Sequence, residues 1–140
     1  MGLQFHPTVG TIVVCDYRGL EEPEMVKRRL SIIVSSELDD RYGLCTIVPL
    51  STTVPTEIKP YHHRILWDEP FPDPYSSPYH WVKGDMIYTM SFDRLSFPHN
   101  GKDSKGKRNY VIRHLTDAHL KSVRECILHG IDLSRLTEHL

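Results

Sequence analysis

At 140 residues the chain has room for one hydrophobic core and too little for two, so a single domain spanning about residues 5–140 is expected. Its 39% apolar and 25% charged residues are a globular composition, which excludes a disordered chain or a membrane bundle. Seventeen basic residues against 18 acidic ones, a net charge of −1, argue against sequence-independent binding to duplex nucleic acid and leave only a local basic patch open. No stretch approaches the roughly 18 apolar residues of a membrane span, and residues 1–7 lack the basic and apolar regions of a signal peptide, so the cytoplasm is the expected location. Cys15, Cys45 and Cys126 are odd in number and have no C-x-x-C spacing; they read as core residues rather than a disulfide framework or a zinc ribbon.

Gly10 to Tyr17 is β-branched and apolar and predicts a buried first strand behind a glycine turn. Residues 18–29 carry Gly, Pro and charges and predict a long polar connection, a frequent carrier of function. Leu30 to Ser35 and Leu44 to Leu50 predict the second and third strands, joined by the hairpin-like link from Glu37 to Gly43. The proline-rich segment from Pro55 to Pro78 predicts irregular chain with one edge strand, His63 to Trp67. Trp81 to Thr89 predicts a further strand in which Gly84 marks a bulge or a close backbone approach. After a turn-rich stretch, residues 100–107, comes a strand at Asn109 to Arg113. Thr116 is a good N-cap for a helix reaching about His129, with Leu120, Val123 and Ile127 on one face and Gly130 as the stop. Many short strands closed by one amphipathic helix predict a β-rich (all-β or α+β) fold.

The opening strand, the charged loop ending in Arg29 before Leu-Ser-Ile-Ile-Val-Ser, the segment from Thr46 to Thr53, and Val82-Lys-Gly-Asp85 resemble the PemK/MazF toxin family in order and spacing. The resemblance runs from Gly10 to near Gly130. It implies an SH3-like small barrel of antiparallel strands with a C-terminal helix, a homodimer, no cofactor, and metal-independent, sequence-selective cleavage of single-stranded messenger RNA. It also implies a cognate antitoxin protein that holds the activity in check. The sequence departs from the family where Leu30 replaces its usual proline and where Lys83 stands in place of a frequent arginine.

Cutting RNA without a metal requires the 2′-hydroxyl to lose a proton, the phosphorane charge to be stabilised and the 5′-oxygen to gain a proton. By resemblance Arg29 is the phosphate clamp, with Lys27 and Arg28 beside it to bind RNA; read from position alone, all three are solvated charges at a strand end. Lys83 and Asp85, at i and i+2 of one strand, share a face and are the candidate acid (or second cation) and base, against the plainer reading of an ion pair. The resemblance implies that one hydroxyl of Ser51 or Thr52 belongs to the site, with Thr52 preferred, and that Thr53 next to them contacts RNA; from the residues alone these hydroxyls stabilise a turn.

His62 and His63 are adjacent, so on a strand only one of them can face a cleft; they are candidate RNA contacts, or ordinary edge residues with nothing to fix a tautomer. His114, His119, Cys126 and His129 lack the spacing of a ligand set, and no metal is assigned. Tyr17, Trp67, Tyr75, Tyr79 and Trp81 are candidates for stacking on bases or for packing. The alternative function is a barrel that acts by binding, either RNA or a protein, as CcdB binds gyrase. That family uses a C-terminal Trp-Gly-Ile, whereas this sequence ends Glu138-His139-Leu140.

Overall fold

The computed structural model describes residues 2–140. Its strands are β1 (Ile12–Asp16), β2 (Arg28–Ile33), β3 (Leu44–Ser51), β4 (His62–Leu66), β5 (Tyr79–Lys83), β6 (Tyr88–Ser91), β7 (Leu95–Ser96), β8 (His99–Lys102) and β9 (Arg108–Tyr110), followed by helix α1 (Asp117–Gly130). A seven-stranded sheet runs β4-β5-β3-β2-β1-β7 with β6 attached to β3, and every pairing is antiparallel. The fold is β-rich with one C-terminal helix, as expected. Its strands do not close into a barrel: β4 and β7 end the hydrogen-bonded path.

The apolar run of β1 is explained by cores on both faces of the sheet. Val13, Cys15 and Tyr17 join one cluster with Ile33, Ile47 and Leu95, while Ile12 and Val14 join another with Ile32, Val48, Val82 and Val123 of α1. Each such fully buried aliphatic side chain stabilises the fold by about 1.5–3 kcal/mol. Cys15, Cys45 and Cys126 are buried free thiols.

The long connection between β1 and β2 is tethered rather than loose. Met25 is buried and its backbone N–H donates to the Tyr88 hydroxyl at 3.1 Å, while the Arg94 guanidinium donates to the carbonyls of Asp16 and Arg18 at 2.8 and 2.9 Å. These contacts fix where Arg28 and Arg29 leave the loop.

Three sequence expectations change. Trp81 to Thr89 is not one strand: β5 ends at Lys83, the Met86 N–H donates to the Lys83 carbonyl at 3.0 Å, and β6 starts at Tyr88. The break follows from β3, whose one edge pairs with β6 at residues 44–47 and with β5 at residues 50–51. Gly84, at the corner, is a close backbone approach; a Cβ there would lie 2.5 Å from the Cys126 carbonyl carbon. Gly130 does not stop the helix but forms its last residue, where a Cβ would lie 2.5 Å from the Gly84 carbonyl oxygen. The stop is made beyond it by Asp132 at φ 62°, with the Leu133 N–H donating to the Leu128 carbonyl at 2.7 Å. Finally, the strand expected at Asn109 to Arg113 is shifted, because residues 99–110 fold back on themselves as the β8–β9 hairpin.

Candidate functional site

Antiparallel pairing places the start of β2 opposite the end of β1, with Arg28 facing Asp16 and Arg29 facing Cys15. Beyond the last pair of β3 and β5, Ser51 with Trp81, the chains continue into Thr52 and His80. Between these ends lies a cavity of about 170 Å³ lined by Arg28, Arg29, Leu30, Leu50, Thr52, Pro74, Tyr75 and His80. The proline-rich segment supplies its outer wall. Trp67 and Phe71 pack edge to face at 4.9 Å between centroids, Phe71 is buried, and the chain returns through Pro74 and Tyr75.

Arg29 is half-buried, and its Nε is buried without any acceptor. A buried guanidinium donor left unpaired is costly, and a phosphate oxygen is the acceptor its geometry suits best. Arg28, by contrast, is engaged by Asp16 at 3.5 Å. Asp16 also accepts from Arg18 Nε and Nη2 at 2.9 and 2.7 Å, and this Arg18 fork holds its carboxyl well below the usual carboxylate range.

His80 is buried, and the Trp67 indole N–H donates to its Nδ1 at 2.8 Å. That bond fixes the neutral tautomer with the proton on Nε2. Burial, and after it the charge of Arg29, pushes its pKa down to about 4. The depressed value makes His80 a source of pH-dependent stability. Between the unfolded value of about 6.5 and the folded value of about 4, the unfolded chain binds the extra proton, so stability is fully present above the window and is lost as pH falls through it. Thermal melts from pH 7 to pH 4 are expected to fall more steeply for the wild type than for His80→Gln; parallel curves would show that His80 is not held neutral.

The two hydroxyl candidates separate by burial. Ser51 is 4% exposed and its Oγ accepts the Thr53 N–H at 3.1 Å, whereas Thr52 is exposed and lines the cavity. Ser51→Ala is therefore expected to lower stability by about 1 kcal/mol, the usual contribution of a hydrogen bond, with the reaction rate little changed. Thr52→Val should do the reverse; equal effects of both substitutions on rate would remove the distinction.

Other sequence candidates lie elsewhere. Lys83 ends β5 opposite His62, and Asp85 stands in the turn after the strand, so strand alternation does not put the two on one face. Neither lines the cavity. Lys27 is exposed in an open recess of about 490 Å³ that runs along residues 22–27 to Arg29. Thr53 is exposed and its backbone is spent on Ser51. His62 Nδ1 accepts from the Lys59 N–H at 3.0 Å, and His63 Nε2 meets His119 Nδ1 of α1 at 3.0 Å, so both rings do have partners, and neither lines the cavity. Sequence reasoning missed His80, which lies just ahead of the strand expected from Trp81 and joins β5 through its pairing with Ile65.

The family model described as PemK-like, MazF-like toxin of type II toxin-antitoxin system matches residues 8–129. A Haemophilus influenzae protein described as uncharacterized is 27% identical, with 96% of each chain covered. Among solved structures, a mycobacterial endoribonuclease in complex with its cognate antitoxin superposes with a TM-score of 0.58 at 20% identity, covering 91% of this chain and 96% of that one. A MazE-MazF structure from Deinococcus radiodurans gives 0.55 at 14% identity, covering 94% of this chain and 100% of that one. At such identities the two structures speak for the fold, while the family match spans nearly the whole sequence. The chain belongs to the PemK-like, MazF-like toxin family of type II toxin-antitoxin systems.

Proposed function

We propose that the chain is an endoribonuclease toxin that cuts single-stranded RNA at short specific sequences by attack of the RNA's own 2′-oxygen, with no metal in the reaction. The observation that carries this reading is the half-buried Arg29, whose Nε has no partner, lining one cavity together with Thr52 and a neutral His80. The 2′-hydroxyl gives its proton to solvent water, its oxygen bonds to the adjacent phosphorus, and the bond from phosphorus to the 5′-oxygen breaks as that oxygen takes up a proton from solvent. A 2′,3′-cyclic phosphate and a 5′-hydroxyl result. Arg29 binds the phosphate and gains strength as charge builds on its oxygens. Thr52 orients the reacting oxygen, and the His80 Nε2–H is a further neutral donor. Lys83 and Asp85, outside the cavity, have no part in this scheme.

The mycobacterial and Deinococcus structures contain antitoxin partners, which supports neutralisation of this chain by a cognate antitoxin protein; a homodimer is part of the same proposal. The test is one RNA sequence made with ribose and with 2′-O-methyl ribose. The ribose strand should be cut and the methylated strand bound but left intact; cleavage of both would rule out the 2′-oxygen as nucleophile.

A further inference from the structure

The β8–β9 hairpin stands apart from the cores: every residue from His99 to Tyr110 is exposed. It carries Lys102, Lys105, Lys107 and Arg108 against Asp103 alone, a local net charge of +3 in a chain whose net charge is −1. Asp103 is occupied in shaping the tip, where its Oδ1 accepts the N–H groups of Lys105 and Lys107 at 2.8 and 2.9 Å. Among the described residues, none of the four cations pairs with a carboxylate within 4.0 Å.

Two further features connect the hairpin to the Arg29 cavity. A groove of about 470 Å³ begins at Arg28, Pro74 and Tyr75, which also line that cavity, and ends at Phe97, His99 and Arg108 at the base of the hairpin. Aromatic rings gather at that end: Tyr110, 52% exposed, lies 6.4 Å from Phe97 and 6.5 Å from His99 between centroids. Counted with its ends the groove lining is neutral, because Asp16, Asp73 and Asp93 offset Arg28, Arg94 and Arg108, and between the ends only Arg94 faces the three carboxylates. Phosphate attraction is thus concentrated at the Arg29 end and at the hairpin tip. Cations with exposed aromatic faces suit a single strand, whose phosphates meet the cations and whose unpaired bases meet the rings.

We infer that the β8–β9 hairpin is a second, sequence-tolerant binding arm for single-stranded RNA, holding nucleotides several positions away from the phosphate cut at Arg29. The inference rests on the ribonuclease reading for the identity of its ligand. The arm raises affinity for long strands, and short strands that end before the hairpin gain nothing from it.

The test combines Lys102→Gln, Lys105→Gln and Lys107→Gln in one protein; all three side chains are exposed and the Asp103 bonds to the backbone remain. Binding is measured against salt with 2′-O-methyl RNA of about 16 and about 4 nucleotides, lengths that bracket ordinary single-strand sites. Because three phosphates are no longer neutralised by lysine, the slope of log affinity against log salt for the long strand should become shallower by about 2, and its affinity at low salt should fall roughly tenfold or more. Binding of the short strand, and cleavage of the same short sequence made with ribose, should match the wild type. An unchanged slope and affinity on the long strand overturn the inference, and so does an equal loss on short and long strands. Unchanged RNA affinity with lost binding to polyglutamate would assign the hairpin to an acidic protein and overturn it as well. Failure of the wild type to cut any ribose strand would count against the ribonuclease reading, while the long-strand salt slope would still judge the arm.

Discussion

Arg29→Ala is expected to lower RNA cleavage by roughly two or more orders of magnitude, the usual consequence of deleting a charge-stabilising donor. Stability should change by no more than about 1 kcal/mol, because the substitution also removes a buried donor that has no partner. The two readouts together separate a lost phosphate clamp from a damaged fold. A third readout comes from His80: the Arg29 charge is one cause of its depressed pKa, so without it that pKa should rise and the pH window of stability loss should narrow from its acid side. Arg29→Lys keeps the charge but loses the planar fork and should recover only part of the rate. A folded Arg29→Ala protein with full activity would place the reaction somewhere else on the molecule.

Gly130→Ala sets two effects against each other. In a helix the change normally favours folding by about 1 kcal/mol. Here the new Cβ would lie 2.5 Å from the Gly84 carbonyl oxygen and 2.7 Å from the Asp85 Cα, both backbone atoms that cannot rotate away. Overpacking of this kind costs about 1–3 kcal/mol, so net destabilisation is expected, with Tm lower by several degrees. Gly84→Ala meets the Cys126 backbone from the other side of the same contact, and the two substitutions should not be additive. A Gly130→Ala protein more stable than the wild type would mean that α1 can lift from the β5–β6 corner at little cost.

Much of the architecture was legible because burial leaves a pattern. β1, β2 and β3 are apolar runs of strand length, and α1 has both a hydroxyl cap in Thr116 and apolar residues at helical spacing. The errors come where one residue answers to two demands. Gly130 resembles a helix stop by position, yet it is needed for contact with Gly84, a residue remote in sequence. Residues 81–89 have strand composition throughout, but β3 offers two separate pairing segments and the chain must turn between them.

The candidate site was legible in part. Arg29 and Thr52 sit at strand ends that motif order can locate, and both line the cavity. Tyr75 and Pro74 reach it because Trp67 and Phe71 hold the proline-rich segment over the sheet, and His80 because β5 pairs with β3 and β4; neither leaves a local periodicity in the sequence. Pairing Lys83 with Asp85 by strand alternation requires a continuous strand, and the turn after Lys83 breaks it.

The most direct measurement is the mass of the fragment ends after purified protein acts on single-stranded RNA in EDTA, with Arg29→Ala as the control. Attack by the 2′-oxygen under the Arg29 clamp yields one fragment ending in a 2′,3′-cyclic phosphate and another beginning with a 5′-hydroxyl, both without metal and neither in appreciable amount from the variant. Fragments ending in 3′-hydroxyl and beginning with 5′-phosphate, or cleavage that stops in EDTA, would contradict it.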